Sequence, residues 1–208
     1  MKISNFEFPK LFLDMHNLGW TKPGSDYVWF NDMEWYSFDE ILTWEDNKES
    51  HIVNSPFIIP FAHTGGGDVW GWYIEDIKNP IVVLCYHDDT IGKVYAQNFE
   101  EALFRHILEF VSESNFYALR GESYQIDCES AKRYILEWRN KFGQYFNPEW
   151  NKEIEKILSL NLKNYKDIRL PRVNLEYEVF ITPEETEKLI NKYIMFGKID
   201  TEVVWDIE

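Results

Sequence analysis

The sequence has 208 residues, of which 45% are hydrophobic and 27% are charged, as in ordinary folded proteins. It is rich in aromatic residues, with 9 Trp, 12 Tyr and 15 Phe, and it carries a formal net charge of −15. This charge argues against binding to a nucleic-acid backbone or an anionic membrane, and it favours a cationic protein as the partner.

Targeting and redox signals are sparse. Residues 1–10 lack a basic segment followed by an apolar stretch, so we predict no signal peptide. The longest apolar runs, Phe57–Ala62 and Ile81–Tyr86, are too short to cross a bilayer. The two cysteines, Cys85 and Cys128, lack the close spacing of a zinc ribbon. We therefore predict a cytoplasmic protein with reduced thiols.

The N-terminal elements are predicted to be short. A helix is expected over Pro9–Leu18, closed by Gly19 as a left-handed cap. Two strand-like segments follow at Tyr27–Phe30 and Glu34–Tyr36. Ser37 and Glu40 have the spacing of a capping box, which predicts a short helix near Phe38–Trp44.

Four further segments have the composition of β-strands. They are Phe57–His63, Asp68–Ile74, Ile81–Tyr86 and Lys93–Ala96. Because the turns between them are too short for parallel crossovers, we predict an antiparallel meander. A helix with Asn98 as its N-cap and Glu101 at its third position follows, with one apolar stripe to pack on the sheet. The predicted fold class is α+β.

The second half of the chain differs in charge. Residues 1–110 carry 18 acidic and 7 basic side chains (net −11), whereas residues 111–208 carry 18 and 14 (net −4). We therefore predict a domain at 1–112 and a mainly helical extension at 113–208, packed on the first. Its helices are expected at Glu129–Phe142, from Asn147-Pro148 onward and from Thr182 to about Phe196, with strands at Val173–Ile181 and Thr201–Trp205.

One polar cluster invites a catalytic interpretation. It contains His63, Asp68, Cys85, His87, Asp88 and Asp89. A metal-dependent hydrolase using His63, Asp68 and His87 is one hypothesis, but the spacing fits no metal motif. Aspartates before a glycine are typical of a tight turn, so the turn interpretation is preferred, and we predict no metal, cofactor or catalytic residue.

The segment Thr64–Asp68 contains three consecutive glycines. A phosphate-binding loop would need a helix after them, whereas a strand pattern follows here. We therefore predict that Gly66, Gly67 and Asp68 form a hairpin turn that requires positive φ.

The segment 26–49 is both acidic and aromatic, with eight acids, one base and seven aromatic residues. It can be a solvated acidic face over core rings, or an interface in which aromatic anchors lie inside a charged rim. For the second interpretation the partner-binding residues would be Asp26, Trp29, Asp32, Glu34, Trp35, Asp39, Glu40, Trp44, Glu45 and Asp46.

The order of motifs resembles the SUKH superfamily, which includes yeast cell-wall-assembly regulators and many bacterial immunity proteins. The motifs are Phe8–Phe12, Trp35–Ile41, Ile58–Ala62, Gly66–Asp68 with Trp70 and Tyr73, Pro80–Val82, Tyr86–Asp88 and Ala96–Leu103. The resemblance covers roughly residues 3–112. It implies an antiparallel sheet with flanking helices, and a binding module without catalytic residues.

The resemblance and the charge together lead to a functional expectation. We expect a non-catalytic immunity protein that neutralises a cognate basic toxin, of nuclease type, without binding nucleic acid or membrane itself. An intracellular regulatory scaffold is the second hypothesis, and the metal-dependent hydrolase is the third.

Overall fold

The chain is described by a computed structural model that covers residues 6–23, 33–44, 57–112, 128–166, 176–194 and 201–205. The predicted strand Tyr27–Phe30 lies outside these residues. The described residues form an α+β protein, which confirms the predicted fold class. They divide into two compact units, residues 1–102 with 196–208, and residues 103–195.

The first unit contains a six-stranded antiparallel sheet in the order β1-β2-β3-β4-β5-β8. Its strands are β1 (Glu34–Trp35), β2 (Ile58–His63), β3 (Val69–Tyr73), β4 (Ile81–Cys85), β5 (Ile91–Ala96) and β8 (Glu202–Val204), and its helices are α1 (Lys10–Asn17), α2 (Phe38–Leu42) and the start of α3 (Phe99–Phe110). The predicted meander of β2 to β5 is confirmed.

Local signals place the three helices where the sequence predicts them. Gly19 follows α1 with φ of +81°, as a left-handed cap requires. The Ser37 hydroxyl accepts from Glu40 N, and the Glu40 carboxylate accepts from Ser37 N, so the capping box of α2 is complete. Asn98 accepts from Glu101 N at 2.8 Å and begins α3.

Aromatic rings fill the core on one side of this sheet. Trp72 of β3 is fully buried, with ring centroids of Phe12 and Phe61 at 4.9 and 4.6 Å. Phe99 of α3 packs on Phe12 at 5.6 Å and on Phe61 at 5.7 Å. Trp35 of β1 stacks on Phe61 at 5.6 Å. The high aromatic content of the sequence is therefore used largely to build this core.

The turn between β2 and β3 has the predicted form. Thr64 N donates to Asp68 O at 2.8 Å, and Gly67 N donates to Thr64 O at 3.0 Å. Gly67 has φ of +95°, a conformation that glycine adopts without steric cost. The glycine run is therefore a hairpin turn, as predicted, followed by a strand.

Gly67→Ala should destabilise the protein by about 1–2 kcal/mol, because an L-residue is strained at positive φ. Space is not the cause, since the nearest atom to an added Cβ would be His87 Cγ at 3.6 Å. Gly66→Ala is the matched control, because Gly66 is outside the positive-φ region and its added Cβ would also have room. Urea unfolding of both variants measures the difference; equal losses would contradict this account.

The second unit is mainly helical, with a two-stranded sheet. It contains the rest of α3, α4 (Cys128–Phe142), α5 (Pro148–Ser159), β6 (Lys163–Lys166), β7 (Glu176–Val179) and α6 (Pro183–Tyr193). Asn147 caps α5 by accepting from Trp150 N, and Thr182 and Glu185 form the predicted capping box of α6. β6 was absent from the sequence prediction.

The core of the second unit also consists of rings. Phe104 stacks on Trp150 with centroids 4.7 Å apart and an interplanar angle of 3°. Phe110 meets Trp138 edge to face at 5.2 Å. The Thr186 hydroxyl, buried on α6, donates to Leu108 O at 3.2 Å and so fastens α6 to the end of α3.

The final strand returns to the first sheet. β8 pairs with β5, and Trp205 is 3% exposed within a cluster on the face of the sheet that carries Val69, Cys85 and Val94. The two compact units differ from the predicted domains in two places. The second unit begins inside α3 rather than after residue 112, and the last residues of the chain belong with the first unit. Within the described ranges, no helix is both long and apolar enough to cross a membrane.

Candidate functional site

The described part of the acidic aromatic segment is a strand followed by a short helix. β1 pairs with the end of β2, where Glu34 faces His63 and Trp35 faces Ala62. Tyr36 N donates to Phe61 O at 3.0 Å, and the capping box then begins α2. The alternation of β1 and the cap of α2 thus determine which side chains point to solvent.

Three carboxylates in the described part of this segment are exposed. They belong to Glu34, Asp39 and Glu40. Leu42 is also 45% exposed, and Trp44 is half-buried. We call these five residues the acidic face. No Lys or Arg occurs between Met33 and Trp44, so the face has one sign of charge along its sequence.

The position of Trp35 differs from the predicted interface. We expected it among the rings available to a partner, but it is 6% exposed and packs on Phe12 and Phe61. The cause is the period of two along β1, which turns Glu34 outward and Trp35 into the core. Five other predicted interface residues lie outside the described residues: Asp26, Trp29, Asp32, Glu45 and Asp46.

Tyr36 and His63 extend the acidic face, and sequence reasoning did not select either as an interface residue. The Tyr36 ring lies 5.6 Å from Trp44 and 5.1 Å from His63, so three rings form a continuous row. His63 Nε2 is 3.9 Å from Glu34 Oε2. The signal that could have found Tyr36 is its place directly before the capping box, opposite the end of β2.

The carboxylate of Glu40 is held in its charged form. Its bonds from Ser37 lower the pKa of Glu40 from the usual value. Burial, together with the negative charge of Glu40, raises the pKa of Tyr36 to about 12. The Glu40 carboxylate is therefore ionised at neutral pH while the Tyr36 phenol stays neutral, so a carboxylate acceptor lies beside aromatic surface.

The second candidate cluster divides into separate parts. Asp68 Oδ1 accepts from His87 N at 3.1 Å and lies 2.8 Å from His87 Nδ1, which joins the β2–β3 turn to the β4–β5 turn. This hydrogen bond, chiefly, raises the pKa of His87. His63 instead contacts Thr64 O and Glu34.

Two other members of that cluster, Cys85 and Asp89, have structural roles. Cys85 is fully buried, and burial raises the pKa of its thiol, so it is a poor nucleophile. Asp89 accepts from Ile91 N at 3.2 Å, as an aspartate in a tight turn does. Among the described residues, no three His, Cys, Asp or Glu side chains are grouped to hold a metal ion.

Comparisons with known proteins add little to this geometry. No protein-family model matches the chain, and no solved structure matches it. The chain is similar to the mitochondrial metalloendopeptidase OMA1 of Saccharomyces cerevisiae, with 36% identity over 74 residues. That match covers 35% of this chain and 20% of OMA1, so this chain spans about a fifth of the length of that relative.

The similarity to OMA1 does not bring a zinc-binding motif with it. None of the five histidines of this sequence begins a His-Glu-x-x-His motif, in which two histidines one helical turn apart hold the zinc ion. Among the described residues, the acidic face combines exposed carboxylates with the adjacent rings of Tyr36 and His63.

Proposed function

We propose that this chain is a non-catalytic binding protein of the immunity type, which neutralises a basic toxin by capturing it on the acidic face. The observation that carries the proposal is the set of exposed carboxylates of Glu34, Asp39 and Glu40 beside exposed Leu42 and half-buried Trp44. Interfaces of this kind use apolar anchors for affinity and charge for orientation and speed.

The overall charge supports the same proposal. With −15 over the chain and −11 over its first 110 residues, long-range attraction would speed the encounter with a cationic partner. A nuclease toxin fits this chemistry, since a surface that binds nucleic acid is itself positive. The SUKH resemblance of residues 3–112 points to the same class of partner.

Reversing the charge of the acidic face should abolish protection. The test co-expresses this chain with each toxin-like domain found among the neighbouring genes. For a domain against which the wild-type chain protects, we expect Glu34→Lys/Asp39→Lys to lose survival and co-purification, because both exposed carboxylates become repulsive cations. Glu40 is left unchanged, since its carboxylate caps α2. Added salt should also slow association less for this variant than for the wild-type chain, because less electrostatic attraction remains to be screened.

The matched control is Glu178→Lys/Glu187→Lys, which changes the net charge by the same amount at two exposed positions of the second unit. We expect this control to keep protection. Equal protection by both double variants would refute the acidic face as the interface. Capture of the toxin-like domain by the wild-type chain without protection would refute the immunity assignment and favour the scaffold hypothesis.

A further inference from the structure

The strand β8 is attached to the sheet by a short stretch of backbone. It faces β5 at three positions, between Ile91–Lys93 and Glu202–Val204. Hydrogen bonds from Val94 N to Thr201 O and from Trp205 N to Thr90 O, both 3.0 Å, flank these pairs. This is about half the usual length of a strand, which is roughly 5–6 residues.

One side chain provides the anchor of β8. Trp205 is 3% exposed, packs in the cluster of Ile58, Val69, Val83, Cys85 and Val94, and donates from Nε1 to Asp89 O at 3.0 Å. Val203 is partly buried against the same cluster. The other two residues of β8 point away, and Val204 is 61% exposed.

The surface of the sheet that β8 covers, formed by the edge of β5 and the Trp205 cluster, has the features of a strand-binding groove. Along β5 the groove offers backbone hydrogen-bonding groups, and beside them lies an apolar cluster that receives alternate side chains of the incoming strand. Lys93 stands directly opposite Glu202, a pairing of opposite charges that favours this register. The segment that fits the groove is thus specified by the structure itself.

We propose that β8 is an exchangeable strap, and that the groove on β5 accepts the same strand from a second copy of this chain. The second copy is the occupant because it carries the identical segment Glu202–Trp205 and would make identical contacts, which is the basis of domain swapping. Within one chain the strap is present at high effective concentration, so exchange requires concentrated protein. The strap does not depend on the proposed toxin partner.

A disulfide across the strap can report which chain supplies it. Ile91 and Val204 are directly opposite, one position from the hydrogen-bonded pair of Thr90 and Trp205, so they form a non-hydrogen-bonded pair. Their Cβ atoms should lie about 4.5–5.5 Å apart, close enough for a disulfide after small adjustment. Because Val204 is exposed, Ile91→Cys/Val204→Cys leaves the Trp205 cluster intact.

The experiment uses the full chain with Cys128→Ser, in light and heavy isotope forms. The two forms are mixed, unfolded and refolded together, at roughly 1 µM and at roughly 1 mM, values chosen below and near the effective concentration of a tethered strand. After oxidation, mass spectrometry reads the linked 91–204 peptides. Refolding is done in about 0.5 M salt, because two chains of −15 otherwise repel each other.

At the lower concentration we expect linked peptides of a single isotope, and at the higher one a mixed-isotope fraction approaching about half, the value for random exchange between equal pools. The matched control is Asn164→Cys/Glu178→Cys, an exposed facing pair of β6 and β7 that lies outside the Trp205 cluster. Single-isotope peptides at both concentrations would overturn the proposal, and so would an equal mixed fraction in the control.

Discussion

Trp72→Ala should cost about 3–5 kcal/mol of unfolding free energy, the usual range for removing a buried Trp or Phe ring. Trp72 is fully buried, and it contacts five other rings. Their centroids lie at 5.4 Å (Phe6), 5.7 Å (Phe8), 4.9 Å (Phe12), 4.6 Å (Phe61) and 6.0 Å (Phe99). Since whole domains are stable by roughly 5–15 kcal/mol, this loss should bring the first unit close to unfolding at room temperature.

Trp72→Phe is the matched control for that loss. It keeps an aromatic ring in contact with Phe12 and Phe61, and it removes an indole N–H that has no hydrogen-bond partner among the described residues. We therefore expect Phe to recover much of the stability lost with Ala, because an unpaired buried donor is itself unfavourable. Urea unfolding followed by far-UV circular dichroism measures both variants. Equal losses would show that ring contacts are not the source of stability here.

The stability of this core also bears on the acidic face. Trp35 packs on Phe61, which in turn packs on Trp72, so the backbone that carries Glu34 rests on the same rings. A variant that loosens Trp72 should therefore weaken the proposed capture of a toxin without changing any surface charge. Charge reversal at exposed Glu34 and Asp39 affects folding least, so those variants separate the effect of charge from that of stability.

Much of this fold follows from local chemistry. The capping boxes at Ser37 and Thr182, the cap at Asn98 and the turn at Gly67 each depend on residues within a few positions of one another. Such signals are legible in a single sequence because they satisfy backbone groups locally. The strand meander was predictable for a similar reason, since short turns exclude parallel pairing.

The missed elements depend on long-range contacts instead. β6 has the sequence Lys-Asn-Tyr-Lys, which has few residues that favour strands, and it is stabilised by facing β7, where Tyr165 meets Tyr177 with ring centroids 5.4 Å apart. The sequence predicts the strand at Thr201–Trp205 but not its partner, because the pairing with β5 joins residues more than a hundred positions apart. A segment of three residues carries too little pattern to predict such a partner.

The candidate site was predictable only in outline. The sequence located an acidic aromatic segment, but it could not tell which rings would be buried. Trp35 is buried because β1 pairs with β2 in a register that places Trp35 opposite Ala62. Tyr36 joins His63 because the same register brings the end of β2 beside it. Both facts are properties of strand pairing, which a single segment does not determine.

His87 and His106 should make the free energy of unfolding change with pH in opposite directions. The pKa of His87 is raised, so its contribution is present below the usual value of 6.5 and is lost as pH rises through the raised pKa. The pKa of His106 is well below 6.5, because its ring is fully buried and desolvation disfavours the charged form. The contribution of His106 is present above 6.5 and is lost as pH falls toward its lowered pKa.

Acidification from pH 6.5 to 4.5 should therefore destabilise the second unit through His106, which packs edge to face on Trp138 at 5.4 Å. Each pH unit below 6.5 costs up to about 1.4 kcal/mol for one proton taken up on unfolding, until the lowered pKa is reached. Urea unfolding at several pH values gives this slope. Carboxylates whose pKa is lowered, such as Glu153 and Glu185, act mainly below about 4.5 and so lie outside the window.

His106→Gln should remove that slope, because Gln cannot take up the proton. The comparison uses the slope of the unfolding free energy against pH rather than its absolute value. The change in packing against Trp138 lowers the unfolding free energy by the same amount at every pH, so it leaves the slope unchanged. His16 acts in the same direction as His106, whereas His87 and Glu101, whose pKa values are raised, act in the opposite direction. All three remain in the variant, so the difference in slope belongs to His106. A variant with the wild-type slope would show that protons enter elsewhere when the second unit opens.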